Sequence, residues 1–348
     1  MDRHSNHKDL IAPLRSAMRD FDLAAVRREI DAVFAEDICV HLAHPFGTLD
    51  KDTLVETAYA PLADAMPDLE RRDWIVIAGR DDHGQDWFGC GGHYIGTFVA
   101  PFLDIPPTGH LAHMRFHEFF RFEAGQIVEM QAIWDIPELM MQAGAWPMAP
   151  SLGRELFVPG PSSQDGFVSG PKDTARSKAS CDLIVDMLAH LVRHPSQGGP
   201  EVMEMKRFWH PRFNWYGPAG IGTCRGVPGF RNWHQIPFLN AMPDRGAHDK
   251  DLTFHFFGDG DYAAVTGWPN MKQTINHDGW LGIAPSGQEI TLRSLDFWRL
   301  EGGLIRENWV LVDLLDIHNQ LGVDVLARMR EFNKARNFKP LYNPGDVQ

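Results

Sequence analysis

Leu103-Asp-Ile-Pro-Pro-Thr-Gly109, written above Leu281-Gly-Ile-Ala-Pro-Ser-Gly287, shows the chain repeating itself at an offset of 178 residues. Arg115 then falls on Arg293, Phe119 on Phe297, Arg121 on Arg299, Glu123 on Glu301 and Gly125 on Gly303. The register runs on through Ile127 and Ile305, Glu129 and Glu307, Asp135 and Asp313, Gln142 and Gln320, and Gly144 and Gly322. Upstream, Ala65-Met-Pro-Asp68 matches Ala241-Met-Pro-Asp244 at an offset of 176, so a two-residue length change lies between. A self-match of this length marks a tandem duplication of one structural unit.

Between the matched segments runs a stretch rich in Pro, Gly and Ser, including Pro159-Gly-Pro-Ser-Ser and Ser169-Gly-Pro-Lys, with little periodicity. The copies are therefore expected at 8–149 and 179–332, with a linker at 150–178 and a polar tail at 333–348. Each copy opens with helical spacing, over Asp9 to Ala35 and over Ser180 to Phe208, followed by a short aromatic strand at Ile38 to Leu42 or Phe213 to Tyr216. A helix then ends at the Met-Pro-Asp turn, which proline cannot continue. Three or four strands follow, with Gly125 and Gly302-Gly303 supplying hairpin turns, and a short helix starts after Asp135 or Asp313. Helices first and an antiparallel meander afterwards describe an α+β domain with helices packed on one side of a curved sheet.

The formal net charge of −13 argues against nucleic acid and anionic membranes as partners, since both select a basic patch. Cys39, Cys90, Cys181 and Cys224 are scattered, which fits reduced packing residues better than a disulfide frame or a zinc site. Met1 to Asp9 is polar with no apolar signal core behind it, and no stretch approaches the roughly 20 apolar residues of a membrane span. A soluble cytoplasmic protein is the expectation.

Three segments together resemble the SnoaL-like polyketide cyclases, a branch of the nuclear transport factor 2-like superfamily. They are Phe102-Leu-Asp-Ile-Pro-Pro-Thr-Gly109; the hairpin Phe120-Arg-Phe-Glu-Ala-Gly-Gln-Ile-Val-Glu129 with its echo Trp298-Arg-Leu-Glu-Gly-Gly-Leu-Ile-Arg-Glu307; and Trp134-Asp135 ahead of Met141-Gln-Ala-Gly144. Trp215-Tyr-Gly-Pro218 and Gly226-Val-Pro-Gly229 add to the likeness. The resemblance implies a cone-like domain around an apolar pocket, and an intramolecular aldol ring closure without metal or organic cofactor. It also places an acid/base aspartate at Asp135 and, by the repeat, at Asp313. The second copy departs from the pattern, with Val312 in place of the tryptophan and Ala284 in place of a loop proline. Because family members pair as homodimers through the sheet, a fused tandem is expected to form an intramolecular pseudo-dimer, with further homo-oligomers open. Such a pairing frees one copy to drift, and Val312 reads as a mark of that drift.

Strand parity sorts the side chains. Ala112, Met114, Phe116, Glu118, Phe120 and Phe122 form one face, apolar except for Glu118; Ile290, Leu292, Ser294, Asp296, Trp298 and Leu300 repeat it. The opposite face, His113, Arg115, His117, Phe119 and Arg121, reads as solvent- or interface-facing. A carboxylate on an apolar strand face is the informative exception. Each copy is thus expected to hold two carboxylates on neighbouring strands, Glu118 with Asp135 and Asp296 with Asp313, whose mutual repulsion would leave one as acid and one as base. Asp135 before Ile136-Pro137 and Asp313 before Leu314-Leu315 also stand where helix N-caps stand.

His41 and Tyr216 occupy matching places on the first strand and are candidates to orient a substrate carbonyl. His93, Trp134, Trp215, Trp309 and His277 complete the substrate-binding candidates. His113 and His117 share a strand face but sit about 13 Å apart at roughly 3.3 Å per residue, too far for one ion; no metal site is expected. The chain has neither a phosphate-binding glycine loop nor a G-x-S-x-G elbow. The reading is an acid–base enzyme, of cyclase, isomerase or lyase type, acting on a hydrophobic carbonyl or polyketide-like small molecule. Two alternatives stand beside it. One is an epoxide-hydrolase-like enzyme, which needs an arginine between two carboxylates, whereas Arg115 and Arg293 point to the opposite face. The other is a non-catalytic ligand-binding protein.

Overall fold

The computed structural model describes residues 3–170 and 172–334. The expected polar tail lies outside the described residues except for Asn333 and Lys334. Asp22 caps the helix Leu23–Val33 by accepting from the backbone N–H groups of Ala24 and Ala25, and that helix buries Val26, Ile30 and Val33 at helical spacing. Strand β1 (Phe34–Leu42) follows directly, then β2 (Gly47–Leu49). Next comes a helix whose middle turn, Val55–Tyr59, widens to π geometry before Met66-Pro67 stops it. Strands β3 (Glu70–Arg80), β4 (Asp86–Thr97), β5 (Leu111–Glu123) and β6 (Gln126–Trp134) complete the first sheet.

The second copy repeats the plan with β7 (Trp209–Tyr216), β8 (Thr223–Arg225), β9 (His255–Asp259), β10 (Tyr262–Thr266), the pair β11 (Met271–Thr274) and β12 (Glu289–Leu292), β13 (Ser294–Glu301) and β14 (Leu304–Val312). Strand orders are β2-β1-β6-β5-β4-β3 and β8-β7-β14-β13-β10-β9. Each sheet departs from antiparallel order at one pair, β1 with β6 and β7 with β14, where the last strand returns beside the first after a long crossover. Two-residue turns with positive φ, Ala124-Gly125 (51° and 84°) and Gly302-Gly303 (58° and 78°), join β5 to β6 and β13 to β14. In the second copy the long β4 equivalent is broken at Trp268-Pro269, where proline has no N–H for the ladder, so β11 and β12 form a separate ribbon.

The inner face of each sheet packs under its own helices, giving one apolar core per copy. The outer faces pack against each other through a third cluster that includes Ile75, Ile77, Ile133, Phe257, Leu311 and the stacked pair Phe119 and Phe297, 4.9 Å apart. Those two phenylalanines are repeat-equivalent, so a pseudo-twofold axis runs between them. Gly89 sits in this seam because an added Cβ would meet the Phe297 ring at 3.0 Å and the Phe119 ring at 3.1 Å. The trailing segments cross over. Val325, Leu326 and Met329 of the last helix join the first copy's core. The linker is pinned to the second copy, with Gly153 N–H donating to Ile221 and Arg154 exchanging hydrogen bonds with Thr223. The helix Thr174–Leu191 begins ahead of the expected boundary at 179.

Candidate active site

The second copy's cone contains a cavity in two lobes of about 90 and 130 Å³, which share Leu188, Arg245, Met271, Ser294, Asp296 and Trp298 in their walls. A cavity of roughly 150 Å³ takes a benzene ring. Asp296 is half-buried and is held by Ser294, whose Oγ donates to Oδ1 at 2.6 Å. Asn270 fixes Ser294 in turn, donating to its carbonyl (2.6 Å) and accepting from its N–H (2.9 Å). Burial raises the Asp296 carboxyl to about 7, against the opposing pull of the Ser294 hydroxyl and Arg245. His234, on the π turn Arg231–Gln235, stacks on Trp215 with ring centroids 4.1 Å apart and is flanked by Phe230 and Phe238. Burial, reinforced by Arg245, lowers its imidazole to about 3, so it is neutral at physiological pH. Trp209 and Trp298 also line this space, and neither indole N–H has an acceptor among the described residues; His234 Nδ1 has no hydrogen-bond partner there either. Unpaired buried donors of this kind are the exception in folded proteins.

The matched place in the first copy is filled. Glu118 is fully buried and accepts from Arg71 Nη1 (2.7 Å), Tyr94 OH (2.9 Å) and Trp134 Nε1 (3.0 Å). Arg71 also donates to Asp73 at 2.9 Å and lies 4.0 Å over the Phe116 ring. Trp134 stacks on Tyr59 at 5.6 Å. The difference comes from four exchanges at matched positions: Phe116 becomes Ser294, Trp134 becomes Val312, Tyr94 becomes Met271 and Ala58 becomes His234. Three remove bulk from the cone and the fourth brings a histidine into its wall.

Each of the two cones has a family counterpart. The profile of the SnoaL-like polyketide cyclase family matches residues 14–143 and again 200–321, more than half of the chain. The chain belongs to the SnoaL-like polyketide cyclase family. It carries two tandem α+β domains of the nuclear transport factor 2-like type. Curated proteins gave no match. Among solved structures, AclR of Streptomyces galilaeus shares 20% identity at a TM-score of 0.35, covering 40% of this chain and 97% of its own. IdmH of Streptomyces antibioticus shares 23% at 0.33, covering 40% and 98%. TsrD of Streptomyces laurentii shares 19% at 0.34, covering 41% and 98%. Among the described residues, no helix is long and apolar enough to cross a membrane.

Within this tandem member of the SnoaL-like family, the expected carboxylate pairs do not form. Glu118 faces the first core, whereas Asp135 lies on the outer face, where its Oδ2 accepts from Ala219 N–H (2.9 Å) and Arg115 Nη2 (3.3 Å). Asp313 mirrors it, accepting from His44 N–H (2.9 Å) and Arg293 Nη1 (3.1 Å). Each aspartate thus reaches into the other copy's loop after its first strand. The physical reason for the correction is a bulge in each hairpin, between Arg121 and Phe122 and between Arg299 and Leu300, which shifts the register by one residue. It sets Glu118 opposite Ala132 and Asp296 opposite Val310, and so moves the odd-numbered residues beyond the bulge, from Glu129 in β6 and Glu307 in β14, to the other face. Burial raises the Asp313 carboxyl to about 6 and moves Asp135 upward as well. Of the two, Asp313 caps its helix, accepting from Asp316 N–H, while Asp135 makes no cap bond.

Of the substrate-binding candidates, Trp215 lines the second cavity and Trp134 the filled first cone. His41 stacks on Trp268 across the seam at 5.7 Å, and His93 accepts from Trp74 Nε1 and stacks on Phe157 of the linker. Tyr216 and Trp309 stack on each other in the seam, where Trp309 donates to the Pro159 carbonyl. His277 is exposed on a turn with φ 49°. These five are placed away from the cavity. The strand register aligns Met271 of the second copy with Tyr94 of the first. His117 bonds the Leu295 carbonyl at 2.6 Å and His113 pairs with Glu138 at 3.4 Å, so the histidine strand serves the seam and the neighbouring helix. Sequence reasoning missed His234, Arg245 and Arg71. His234 carried one usable signal: it is a polar residue whose repeat partner, Ala58, is a small apolar one.

Proposed function

We propose that this protein is an acid–base enzyme acting on an apolar ring carbonyl compound, and that the second copy alone carries the working site. Asp296 takes a proton from the carbon next to the carbonyl. The indole N–H groups of Trp209 and Trp298 donate to the oxygen that becomes negative, and neutral His234 supplies a further hydrogen-bonding nitrogen. The observation that carries this reading is the contrast at one repeat position: Glu118 has three internal partners and no room, whereas Asp296 has a hydroxyl partner and a cavity beside it. A base must ionise near working pH to be both available and strong enough, and a carboxylate in a largely apolar cavity meets that condition. General-base help of this kind contributes about 10²–10⁴ in rate. Donors already fixed where charge develops add to it, since they need no reorganisation during the step.

Asp135 and Asp313 serve the seam in this account, and the fused pair stands in for a homodimer. The test is deuterium uptake at the carbon between ring and carbonyl of 2-tetralone in D₂O, followed by NMR. The intact chain is expected to accelerate uptake over buffer, Glu118→Gln to retain whatever folded protein delivers, and Asp296→Asn to lose it. Full activity in folded Asp296→Asn refutes the assignment.

A further inference from the structure

An outer groove of about 660 Å³ adjoins the inner cavity, and Trp280 stands in the wall of both. Phe238, packed edge-to-face on Trp280 at 5.4 Å, belongs to the inner wall, while its neighbours Ile236 and Pro237 belong to the groove. The opposite bank is not part of the second domain at all: it is Ala149 at the end of the first copy with Pro150 and Leu152 of the linker. The start of this bank lies against the loop, since a Cβ added to Gly282 would meet Ala149 Cβ at 3.0 Å.

The first copy shows what this place looks like when closed. There the trailing helix Val325–Phe332 brings Val325, Leu326 and Met329 into the core, and Arg330 pairs with Asp104 of the loop that matches the Trp280 loop. On the second copy the trailing segment is the extended linker, and Leu152 and Ile236 are left 52% and 37% exposed. Large apolar side chains exposed on both banks of a groove that adjoins a binding cavity mark a binding surface.

We propose, resting on the second-copy site reading, that the linker and the Trp280 loop form the outer half of that site, and that its substrate carries an aliphatic arm which leaves the cavity past Trp280 and lies in this groove. The ring carbonyl sits inside against Asp296, and the arm runs along Ile236, Pro237 and Leu152. The chain length a substrate tolerates is therefore set by a segment that neither repeat contains.

The test uses the full chain with 2-tetralone and its 6-alkyl derivatives carrying two-, four- and eight-carbon arms, reading Kd by calorimetry. Affinity is expected to rise by roughly twofold per methylene, about half the increment of a fully buried one. Leu152→Arg, on the exposed linker, is expected to flatten that series while leaving the Kd of unsubstituted 2-tetralone within about twofold. Binding of 2-tetralone with no dependence on arm length overturns the arm proposal and leaves the cavity reading standing. A slope that survives Leu152→Arg also overturns it. Failure of every member to bind overturns both.

Discussion

Replacing the two matched carboxylates should move stability in opposite directions. In the second copy, Asp296 is raised from 3.8 to about 7 by burial, so above pH 7 the fold holds a charge that the unfolded chain keeps in water at less cost. The shift corresponds at most to about 4 kcal/mol at 1.36 kcal/mol per unit. Because Asp296 is only half-buried, solvent screening reduces this to about 1–2 kcal/mol. The sign follows from proton binding. Between the unfolded and folded values the native state holds a proton that the unfolded state has lost, so stability falls as pH rises from about 4 to about 7. Asp296→Asn removes that loss. The variant should match the parent near pH 4 and exceed it by about 1–2 kcal/mol at pH 8, seen as a Tm increase of a few degrees. Glu118→Gln does the reverse. It leaves the fully buried Arg71 with only Asp73 as a charged partner and should cost about 3 kcal/mol at pH 8. Thermal scans at pH 4.5, 6 and 8 on both variants decide it. Loss of stability in Asp296→Asn at pH 8, or a gain that does not change with pH, refutes the reasoning.

Further outcomes follow from the same geometry. The rate of 2-tetralone exchange should rise about tenfold per pH unit below about 7 and level off above it, as the Asp296 carboxylate forms; a flat profile from pH 5 to 8 excludes this base. Trp209→Phe and Trp298→Phe should each lower the exchange rate by roughly 10- to 100-fold with little change in Tm, because the lost N–H groups have no acceptor in the described protein; unchanged exchange in both removes the donor role. Asp135→Asn and Asp313→Asn should keep exchange within about twofold of the parent and act on stability through the seam, measured by thermal scans; a hundredfold loss of exchange with an intact fold returns the acid–base role to those positions.

The duplication, the element order and the helix-covered sheets were legible because repeats and periodicities are local properties of a sequence. The inward face of β5 and β13 was legible for the same reason: Glu118 stands alone among apolar neighbours, and Asp296 has only Ser294 as polar company. What could not be read was how one strand registers on the next. A single bulged residue after each hairpin turn reverses which residues of β6 and β14 share that face, and neither Gly125 nor Gly302-Gly303 announces it. His234 was hidden by the same kind of device, since a π turn rotates the helix away from the 3.6-residue pattern that would have placed it. Val312 was read as drift. In the structure it lines the cavity that Trp134 fills in the other copy, so the loss of bulk is what opens the site. Volume changes of this sort are visible in an aligned repeat only once both cones have been seen.

Ligand is expected to enter the second cone and not the first, and the tryptophan indole N–H signals report its position. In a ¹H–¹⁵N spectrum titrated with 2-tetralone, the Trp209 and Trp298 Nε1 resonances should shift, because a carbonyl oxygen gives them an acceptor. The Trp134 Nε1 resonance, already donating to Glu118, should stay in place. A shift of Trp134 with Trp209 and Trp298 unmoved would place the ligand in the first cone and contradict the account.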